Sequence, residues 1–413
     1  IFISIPFNTC SLEFINTNSK VVLVYDMDDD HIIYNKDGSK VVSIASLTKI
    51  MTTITAIEKI ESSNINYNDK IKVTSSMLKG LGSDASVAGI KVGNTVTYLD
   101  LLYATILPSG ADATLILGYN LGGVNNFVKS MNSLAKEIGV TNTNFVNTHG
   151  LDNKNHYGTA EDILKILKHS LNNELFKKIF TTNEYKLSNG LKVERTVNEY
   201  NKLLKLDVSR ILGSKTGKTT NAGLCLSSLI NSNGHNYILI TLGADNDKNV
   251  NNLRDQLNII KYLDDNYKEQ LLFKKGDLIK NIEVHYSSIK NIDVVVKEDI
   301  YKYLPNDYDK SLIKFVYDGE EKLYPDNYSV SDNIGNVSFY YGDELLGRED
   351  VLLIENIDFN IKSFINENRV LTIIVCSYIL LVFILITIII IIKKRNKKYM
   401  NNIIKNDIIE VIE

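Results

Sequence analysis

The amino-acid sequence predicts an α+β protein made of a large mixed domain, a smaller β-rich domain and one C-terminal transmembrane helix. Three observations support this prediction. Strand-like and helix-like patterns alternate as far as about residue 272, strand-like runs alone follow from about residue 276, and an uncharged apolar run begins at Val370. The 413 residues, 44% of them hydrophobic, suffice for two or three globular units.

In the first region, the period of the apolar residues separates strands from helices. Apolar runs of strand length, bounded by acidic or polar turns, predict strands at residues 20–26, 31–35, 222–229 and 237–242. Apolar residues at helical spacing predict helices at residues 49–60, at 124–138, and from Thr159 onward. The last two strands flank a polar turn at residues 231–234, which is typical of a hairpin. We assign residues 19–272 to this domain.

The second region, residues 276–358, is rich in short strand-like segments. Asn, Asp, Gly and Pro turns separate them, and they lie at residues 282–286, 292–296, 312–317 and 337–341. This pattern predicts a small β-sandwich. Residues 359–369 are then a linker to the apolar run.

Both ends of the chain indicate a membrane protein. Residues 370–392 carry no charge, and about 20 apolar residues are enough to cross the hydrocarbon core. Five cations follow immediately, at the start of the tail at residues 393–413, and they are Lys393, Lys394, Arg395, Lys397 and Lys398. The positive-inside rule places them in the cytoplasm, so the rest of the chain is expected outside the cell membrane. Residues 1–18 are interpreted as a signal-peptide remnant and leader, with a short buried strand at residues 1–7 as the alternative.

Composition excludes two further classes. The formal charge is −3, from 46 Lys and Arg against 49 Asp and Glu, so no cationic field indicates a nucleic-acid partner. The three cysteines cannot form a disulfide framework, and none has a Cys or His neighbour at metal-ligand spacing.

Two short motifs contain groups suited to covalent chemistry. In the segment from Ser46 to Lys49, a hydroxyl and an amine three residues apart face the same side of a helix, and an unprotonated lysine can take the serine proton. The pattern alone is weak, because it recurs at Ser76–Lys79, Ser133–Lys136, Ser287–Lys290 and Ser311–Lys314. The second motif, Lys215-Thr-Gly217, is rarer and lies just before a predicted strand, where Lys and Thr can hold a carboxylate.

The order and context of these motifs resemble a known family. Residues 45–52 (ASLTKIMT), 108–113 (PSGADA) and 213–219 (GSKTGKT) are similar to the motifs of the D-alanyl-D-alanine carboxypeptidases, the low-molecular-mass penicillin-binding proteins. Residues 145–151 and 156–160 also look like family segments, and the resemblance covers roughly residues 20–267. It implies a β-lactamase/transpeptidase-like antiparallel sheet with flanking helices. The C-terminal β domain and anchor match the family arrangement more loosely.

The resemblance also implies roles for individual residues. Ser46 is the expected nucleophile, Lys49 its general base, and Ser109 the group that passes a proton to the departing amine. Lys215 is expected to lower the pKa of Lys49 by charge repulsion.

The third motif is expected to bind the substrate. Lys215 and Thr216 would grip the terminal carboxylate, Gly217 would allow close approach of a backbone, and the N–H groups of Ser46 and Lys218 would form an oxyanion hole. The implied substrate is the peptidoglycan stem peptide, which would lie along the Lys215 strand by strand addition. β-Lactam antibiotics are the implied covalent inhibitors, and no cofactor is implied.

One departure from the family pattern affects the expected rate. Ala111 stands where the family has an asparagine whose amide contacts the catalytic lysine and the substrate. Losing one positioned donor costs about 2.7–4 kcal/mol, so a weakened enzyme or a wall-binding protein is the first alternative.

Two other hydrolases compete with this interpretation. A class A β-lactamase needs a glutamate that positions water, and no clear local signature for one is present. A zinc peptidase could use His149, His156, Asp162, Glu283 or His285, but their order and spacing form no metal motif.

Overall fold

The computed structural model describes residues 16–245, 249–325 and 327–410. The expected signal-peptide remnant therefore lies almost entirely outside the described residues. The chain divides into two compact units, residues 1–268 and 269–413, which are described separately.

The first unit contains most of the helices. In chain order its elements are β1 (Val21–Asp26), β2 (His31–Lys36), α1 (Thr48–Ser62), β3 (Lys70–Lys72), β4 (Thr95–Thr97), α2 (Tyr98–Ile106), α3 (Ala111–Asn120), α4 (Val124–Glu137), α5 (Ala160–Leu171), α6 (Glu174–Thr181), β5 (Glu184–Lys186), β6 (Lys192–Glu194), α7 (Thr196–Leu204), β7 (Ile211–Thr219), β8 (Gly223–Ser232), β9 (His235–Ala244) and α8 (Asn251–Asn266). A short 3₁₀ turn, Ala45–Leu47, leads directly into α1.

A five-stranded sheet organises this unit, in the order β2-β1-β9-β8-β7 with antiparallel neighbours. All six residues of β1 are buried, as expected for a strand with neighbours on both sides and cover on both faces. The predicted hairpin is present as β8 and β9, but the predicted turn at residues 231–234 is longer than the observed one. Asn231 and Ser232 pair within the ladder, and the turn is Asn233-Gly234, with positive φ angles of 49° and 92°.

Helices cover the two faces of the sheet. Ile240 and Leu242 of β9 join the large apolar core together with α1, whereas the intervening Thr241 meets α8. Gln256 of α8 donates from Nε2 to the Thr241 hydroxyl at 3.2 Å, and that hydroxyl donates to the Asn252 carbonyl at 3.3 Å. Alternate residues of one strand therefore serve opposite layers. This arrangement confirms the α+β fold class.

The second unit is predominantly β. Its elements are β10 (Tyr267–Phe273, which crosses the unit boundary), β11 (Leu278–Val284), β12 (Asn291–Val295), β13 (Ile300–Pro305), β14 (Ile313–Gly319), β15 (Lys322–Leu323), β16 (Asn333–Tyr341), β17 (Glu344–Leu352), α9 (Ile361–Glu367) and α10 (Arg369–Glu410). The strands form sheets in the orders β10-β13, β12-β11-β15 and β14-β16-β17. They enclose a separate apolar core that includes Ile282, Val337 and Phe339.

The segment assigned as a linker is folded. Most of residues 359–369 form α9, whose first turn is capped by the Asn360 side chain accepting from the Ser363 N–H at 3.0 Å. Within α10, Arg369–Asn402 is long and apolar enough to cross a membrane, and it is the one such helix among the described residues.

Candidate active site

The turn before α1 brings the predicted nucleophile and base into contact. Ser46 lies in the middle of the 3₁₀ turn, and Lys49 lies in the first turn of α1. The Lys49 ammonium nitrogen is 2.8 Å from the Ser46 Oγ. The spacing of three residues therefore places the two groups at hydrogen-bond distance, as a proton transfer between them requires.

Burial prepares Lys49 to act as a base. Its side chain is 1% exposed, and burial lowers its pKa to about 7, although the negative charge of Asp112 acts in the opposite direction. Burial, and not the predicted charge repulsion from Lys215, is the principal cause of this shift. The Lys49 charge instead adds to burial in lowering the pKa of Lys215.

The other Ser-x-x-Lys segments lack this environment. Lys79, Lys136, Lys290 and Lys314 are all exposed, so their amines keep contact with water. Burial therefore separates the first Ser-x-x-Lys pair from its four sequence equivalents, which the spacing alone could not do.

A backbone carbonyl completes the surroundings of the pair. The His149 oxygen accepts from the Lys49 Nζ at 2.9 Å and from the Ser46 hydroxyl at 3.4 Å. The Asn147 side chain holds the loop by accepting from the N–H groups of His149 and Gly150. Gly150 has a φ of +84°, and a Cβ there would lie 1.9 Å from the Ala45 oxygen, so this close approach requires glycine.

A buried chain of hydrogen bonds holds the 3₁₀ turn that carries Ser46. The Val146 N–H donates to His156 Nδ1 at 3.2 Å, which leaves the proton on Nε2, 2.7 Å from the Thr48 Oγ1. The Thr48 hydroxyl donates onward to the Ala45 oxygen at 2.8 Å. Burial lowers the pKa of His156 to about 4, so the neutral ring is the form present at pH 7. Motif and periodicity alone do not identify this role for His156 or Thr48.

The Lys215-Thr-Gly motif lies on an edge strand beside the turn. The strand is β7, the last strand of the sheet, and its one neighbour in that sheet is β8. A Cβ on Gly217 would lie 3.1 Å from the Ala45 Cβ and 3.2 Å from the Ser46 nitrogen. A larger residue at 217 would therefore push β7 away from the nucleophile.

Side chains of the motif alternate along β7. Lys215 is 1% exposed and donates from Nζ to the Thr216 carbonyl at 2.8 Å. Thr216 is half-buried and Lys218 is exposed. The motif thus combines a buried lysine, a hydroxyl and a strand edge next to Ser46.

The second motif lies between α2 and α3. Ser109 is 5% exposed and has a φ of +63°, an unfavourable conformation for a residue with a side chain. Ala111 begins α3, and Asp112 beside it uses its carboxylate to accept the N–H groups of Ala88, Gly89 and Ile90 at 2.9–3.0 Å. The Asp112 carboxylate therefore holds this loop and does not replace the asparagine that the family motif has at position 111.

The residues considered for a zinc peptidase do not come together. Among the described residues, one group of three potential ligands lies close together, and it consists of Asp26, Asp28 and His235. None of the five sequence candidates belongs to it. The imidazoles of His149 and His156 are instead hydrogen-bonded to backbone N–H groups.

Two family models match this chain. The model of the D-alanyl-D-alanine carboxypeptidases covers residues 8–246, which is more than half of the chain. The chain belongs to this family of serine peptidases. The model of the C-terminal domain of penicillin-binding protein 5 covers residues 267–358, the region of the β-rich domain.

Individual relatives agree with this family membership. D-alanyl-D-alanine carboxypeptidase DacF of Bacillus subtilis is 28% identical over 286 residues, 68% of this chain and 71% of that protein. The crystal structure of penicillin binding protein 5 from Haemophilus influenzae covers 83% of this chain and 98% of its own, with 22% identity and a TM-score of 0.59, and it supports the fold. Ampicillin-bound penicillin-binding protein D2 of Listeria monocytogenes is 26% identical, covers 59% of this chain and 97% of its own, and has a TM-score of 0.52.

Proposed function

We propose that this chain is a serine D-alanyl-D-alanine carboxypeptidase that removes the terminal D-alanine from peptidoglycan stem pentapeptides through an acyl-enzyme at Ser46. The observation that carries the proposal is the contact of 2.8 Å between the Ser46 Oγ and a buried lysine whose pKa is lowered to about 7. A hydroxyl with such a partner is a competent nucleophile near neutral pH.

Acylation begins with a proton transfer inside the pair. Neutral Lys49 accepts the Ser46 proton as the serine oxygen attacks the carbonyl carbon of the penultimate D-alanine. The resulting oxyanion is stabilised by the backbone N–H groups of Ser46 and Lys218. The peptide C–N bond then breaks, and the proton returns through Ser109 to the departing D-alanine amine.

Deacylation uses the same groups in reverse order. A water molecule replaces the departed amine, Lys49 accepts one of its protons, and the hydroxide attacks the acyl carbon. The ester bond breaks, and the proton returns to the Ser46 oxygen. The His149 carbonyl keeps the Lys49 amine directed at this oxygen throughout.

The edge strand provides the substrate site. An extended peptide can add to the free edge of β7, with its terminal carboxylate at Lys215 and Thr216. The close approach at Gly217 places this peptide next to Ser46. β-Lactams acylate the same serine in this proposal, which is supported by the ampicillin-bound relative.

The apolar helix supports a location at the cell membrane. Arg369–Asn402 anchors the chain, the basic residues after Ile392 stay in the cytoplasm, and both folded units lie outside. We also propose that an N-terminal signal directs export and that the protein has a role in cell shape. The proposed domain boundary lies between residues 272 and 276.

Labelling with a fluorescent penicillin tests the proposed nucleophile. The full-length chain should be labelled covalently, Ser46→Ala should abolish the label, and Ser76→Ala, from an exposed Ser-x-x-Lys segment, should label normally. The same preparations should release D-alanine from a synthetic stem pentapeptide in the wild type and the Ser76 variant.

Each alternative gives a different result. Labelling that survives Ser46→Ala refutes the nucleophile. Stable labelling without release of D-alanine indicates a wall-binding protein. Rapid loss of the label, with accumulation of hydrolysed penicillin and no action on the peptide, indicates a β-lactamase.

A further inference from the structure

One carboxylate, that of Asp152, connects three segments that surround the active site. Its Oδ1 accepts from the Ser43 hydroxyl at 2.9 Å and from the Thr219 hydroxyl at 2.7 Å. Its Oδ2 accepts from the Asn221 N–H at 3.1 Å. The proposed mechanism gives no role to any of these four residues.

The two bonded hydroxyls lie close in sequence to the two proposed oxyanion donors. Ser43 precedes Ser46 by three residues, and Thr219 directly follows Lys218 at the end of β7. The backbone N–H groups of Ser46 and Lys218 belong to different elements, and both have to point at one substrate oxygen. Because Asp152 holds both hydroxyls on a single oxygen, it connects these two elements.

The third segment is the loop that contacts Lys49, and Asp152 lies on it. Asp152 follows His149 by three residues, and the His149 carbonyl accepts from Lys49 Nζ at 2.9 Å. The Leu151 carbonyl accepts from Asn147 Nδ2 at 3.1 Å, which fixes the loop next to Asp152. The carboxylate therefore starts from a backbone that is already held beside the proposed base.

These hydrogen bonds oppose a movement that packing alone resists only weakly. β7 is the last strand of its sheet, paired with β8 on one side. The close approach at Gly217 prevents β7 from moving toward Ser46, because atoms already in contact repel at shorter distances. The same contacts attract only weakly, so they do little to prevent β7 from moving away. The bonds from Ser43 and Thr219 to Asp152 limit that outward movement.

We propose that Asp152 is a positioning residue, which holds the end of β7 and the segment before Ser46 at the separation that the oxyanion hole requires. It acts through Ser43 and Thr219, not on the reacting atoms. The inference rests on the proposed acyl-enzyme function and adds a residue outside the three motifs. A displacement of about 1 Å can cost about 10²-fold in rate, so even a small loosening of β7 should slow acylation measurably.

Rapid-mixing kinetics with fluorescent penicillin separate binding from acylation. Asp152→Ala should lower the acylation rate constant at saturating penicillin about tenfold, as expected for a displacement below 1 Å. The dissociation constant of the complex before acylation should change by no more than about twofold, because the carboxylate site at Lys215 and Thr216 does not involve Asp152. Asp152→Asn keeps one oxygen for the two hydroxyls but has no second acceptor for the Asn221 N–H, so its rate constant should lie in between.

Two further variants distinguish positioning from a general effect on the fold. Ser43→Ala removes one of the bonded hydroxyls, so it should slow acylation about threefold in the wild type and have no further effect in Asp152→Ala. Asp69→Ala is the matched control and should acylate at the wild-type rate. Asp69 is an exposed aspartate of the same unit, and its carboxylate accepts from the Asn66 N–H at 3.3 Å.

Each outcome leads to a different conclusion. An unchanged acylation rate constant in Asp152→Ala, or a loss that adds to that of Ser43→Ala, overturns the positioning role and leaves the proposed nucleophile Ser46 intact. Weaker binding with an unchanged acylation rate constant also overturns it, since Asp152 would then act on affinity. Absence of covalent labelling in the wild type refutes the proposed function and the positioning role together.

Discussion

Two serine–lysine contacts in this molecule differ in what surrounds them. In the first unit, Ser46 meets a lysine that is 1% exposed and whose nearest acceptors are a hydroxyl and a carbonyl. In the second unit, Ser363 accepts from Lys290, whose side chain is 59% exposed and lies 3.4 Å from the carboxylate of Glu367. Both contacts bring a hydroxyl to an amine. Burial without a contacting carboxylate lowers the pKa of Lys49 and prepares a base, whereas Lys290 is exposed and forms an ion pair with Glu367.

The largest effect should come from removing each lysine in turn. Lys49→Ala should slow acylation by fluorescent penicillin by about 10³-fold, because a general base is lost. Lys290→Ala should acylate at the wild-type rate. Equal rates for the wild type and Lys49→Ala would remove the functional distinction between the two contacts.

The pH dependence of the same reaction supplies the control. Lys49 is competent only when neutral, so the wild-type second-order rate should rise about tenfold per pH unit below 7 and level off above it. Lys49→Ala should lose this rise while remaining folded by circular dichroism.

Restoring the missing amide should have an intermediate effect. Ala111 begins α3, two residues after Ser109, at the position where the family motif has its asparagine. Ala111→Asn should raise the release of D-alanine by up to about 10²-fold, the scale of one positioned donor.

Ala111→Ser is the matched control for this gain. It adds a polar group of smaller reach, so it should leave the rate nearly unchanged. No gain with asparagine would mean that turnover in this chain does not depend on a side-chain amide at position 111.

The smallest effect concerns the hydrogen bonds that connect His156 and Thr48 to the turn that carries Ser46. Thr48→Val keeps the side-chain shape but leaves His156 Nε2 and the Ala45 oxygen without this shared partner, at a cost of about 1–3 kcal/mol in folding stability. Because the turn also positions Ser46, acylation should fall about tenfold while the affinity for a non-reacting peptide stays the same.

Thr48→Ser retains the hydroxyl and should restore the rate. A lower melting temperature with an unchanged acylation rate in Thr48→Val would show that the chain from His156 stabilises the fold only. Such a result would leave burial and the absence of a contacting carboxylate as the differences between the two serine–lysine contacts.

The sequence predicts those parts of the site that depend on side-chain spacing. Three residues along a helix bring the Lys49 amine to Ser46. The Lys215-Thr-Gly217 motif, which the sequence places just before the predicted strand at residues 222–229, instead lies within the edge strand β7. The sequence could not predict the His149 carbonyl, because every residue has one and only the fold selects which carbonyl meets Lys49. It also could not identify the source of the lowered Lys49 pKa, since burial is a property of the packed core and not of neighbouring residues.

The same reasoning explains two features of the fold that the sequence does not predict, the length of the turn between β8 and β9 and the helix α9. The hairpin turn was drawn too wide because Asn231 and Ser232 are polar, although both pair across the ladder. The sequence does not predict helix α9 within residues 359–369, because its polar residues face the unit and its isoleucines face outward. Periodicity identifies a helix by assuming that the apolar side is buried, and this helix violates that assumption.

The pairing of β1 with β9 has a consequence for how the protein is made. Val21 pairs with Leu242, so the central ladder joins residues that are synthesised more than 200 positions apart. A nascent chain that has not yet reached β9 has no partner for that side of β1 and cannot bring β7 up to the serine turn. Peptidase activity should therefore appear late in synthesis, after β9 has been made. A chain truncated before residue 237 should lack the catalytic centre along with the missing strand.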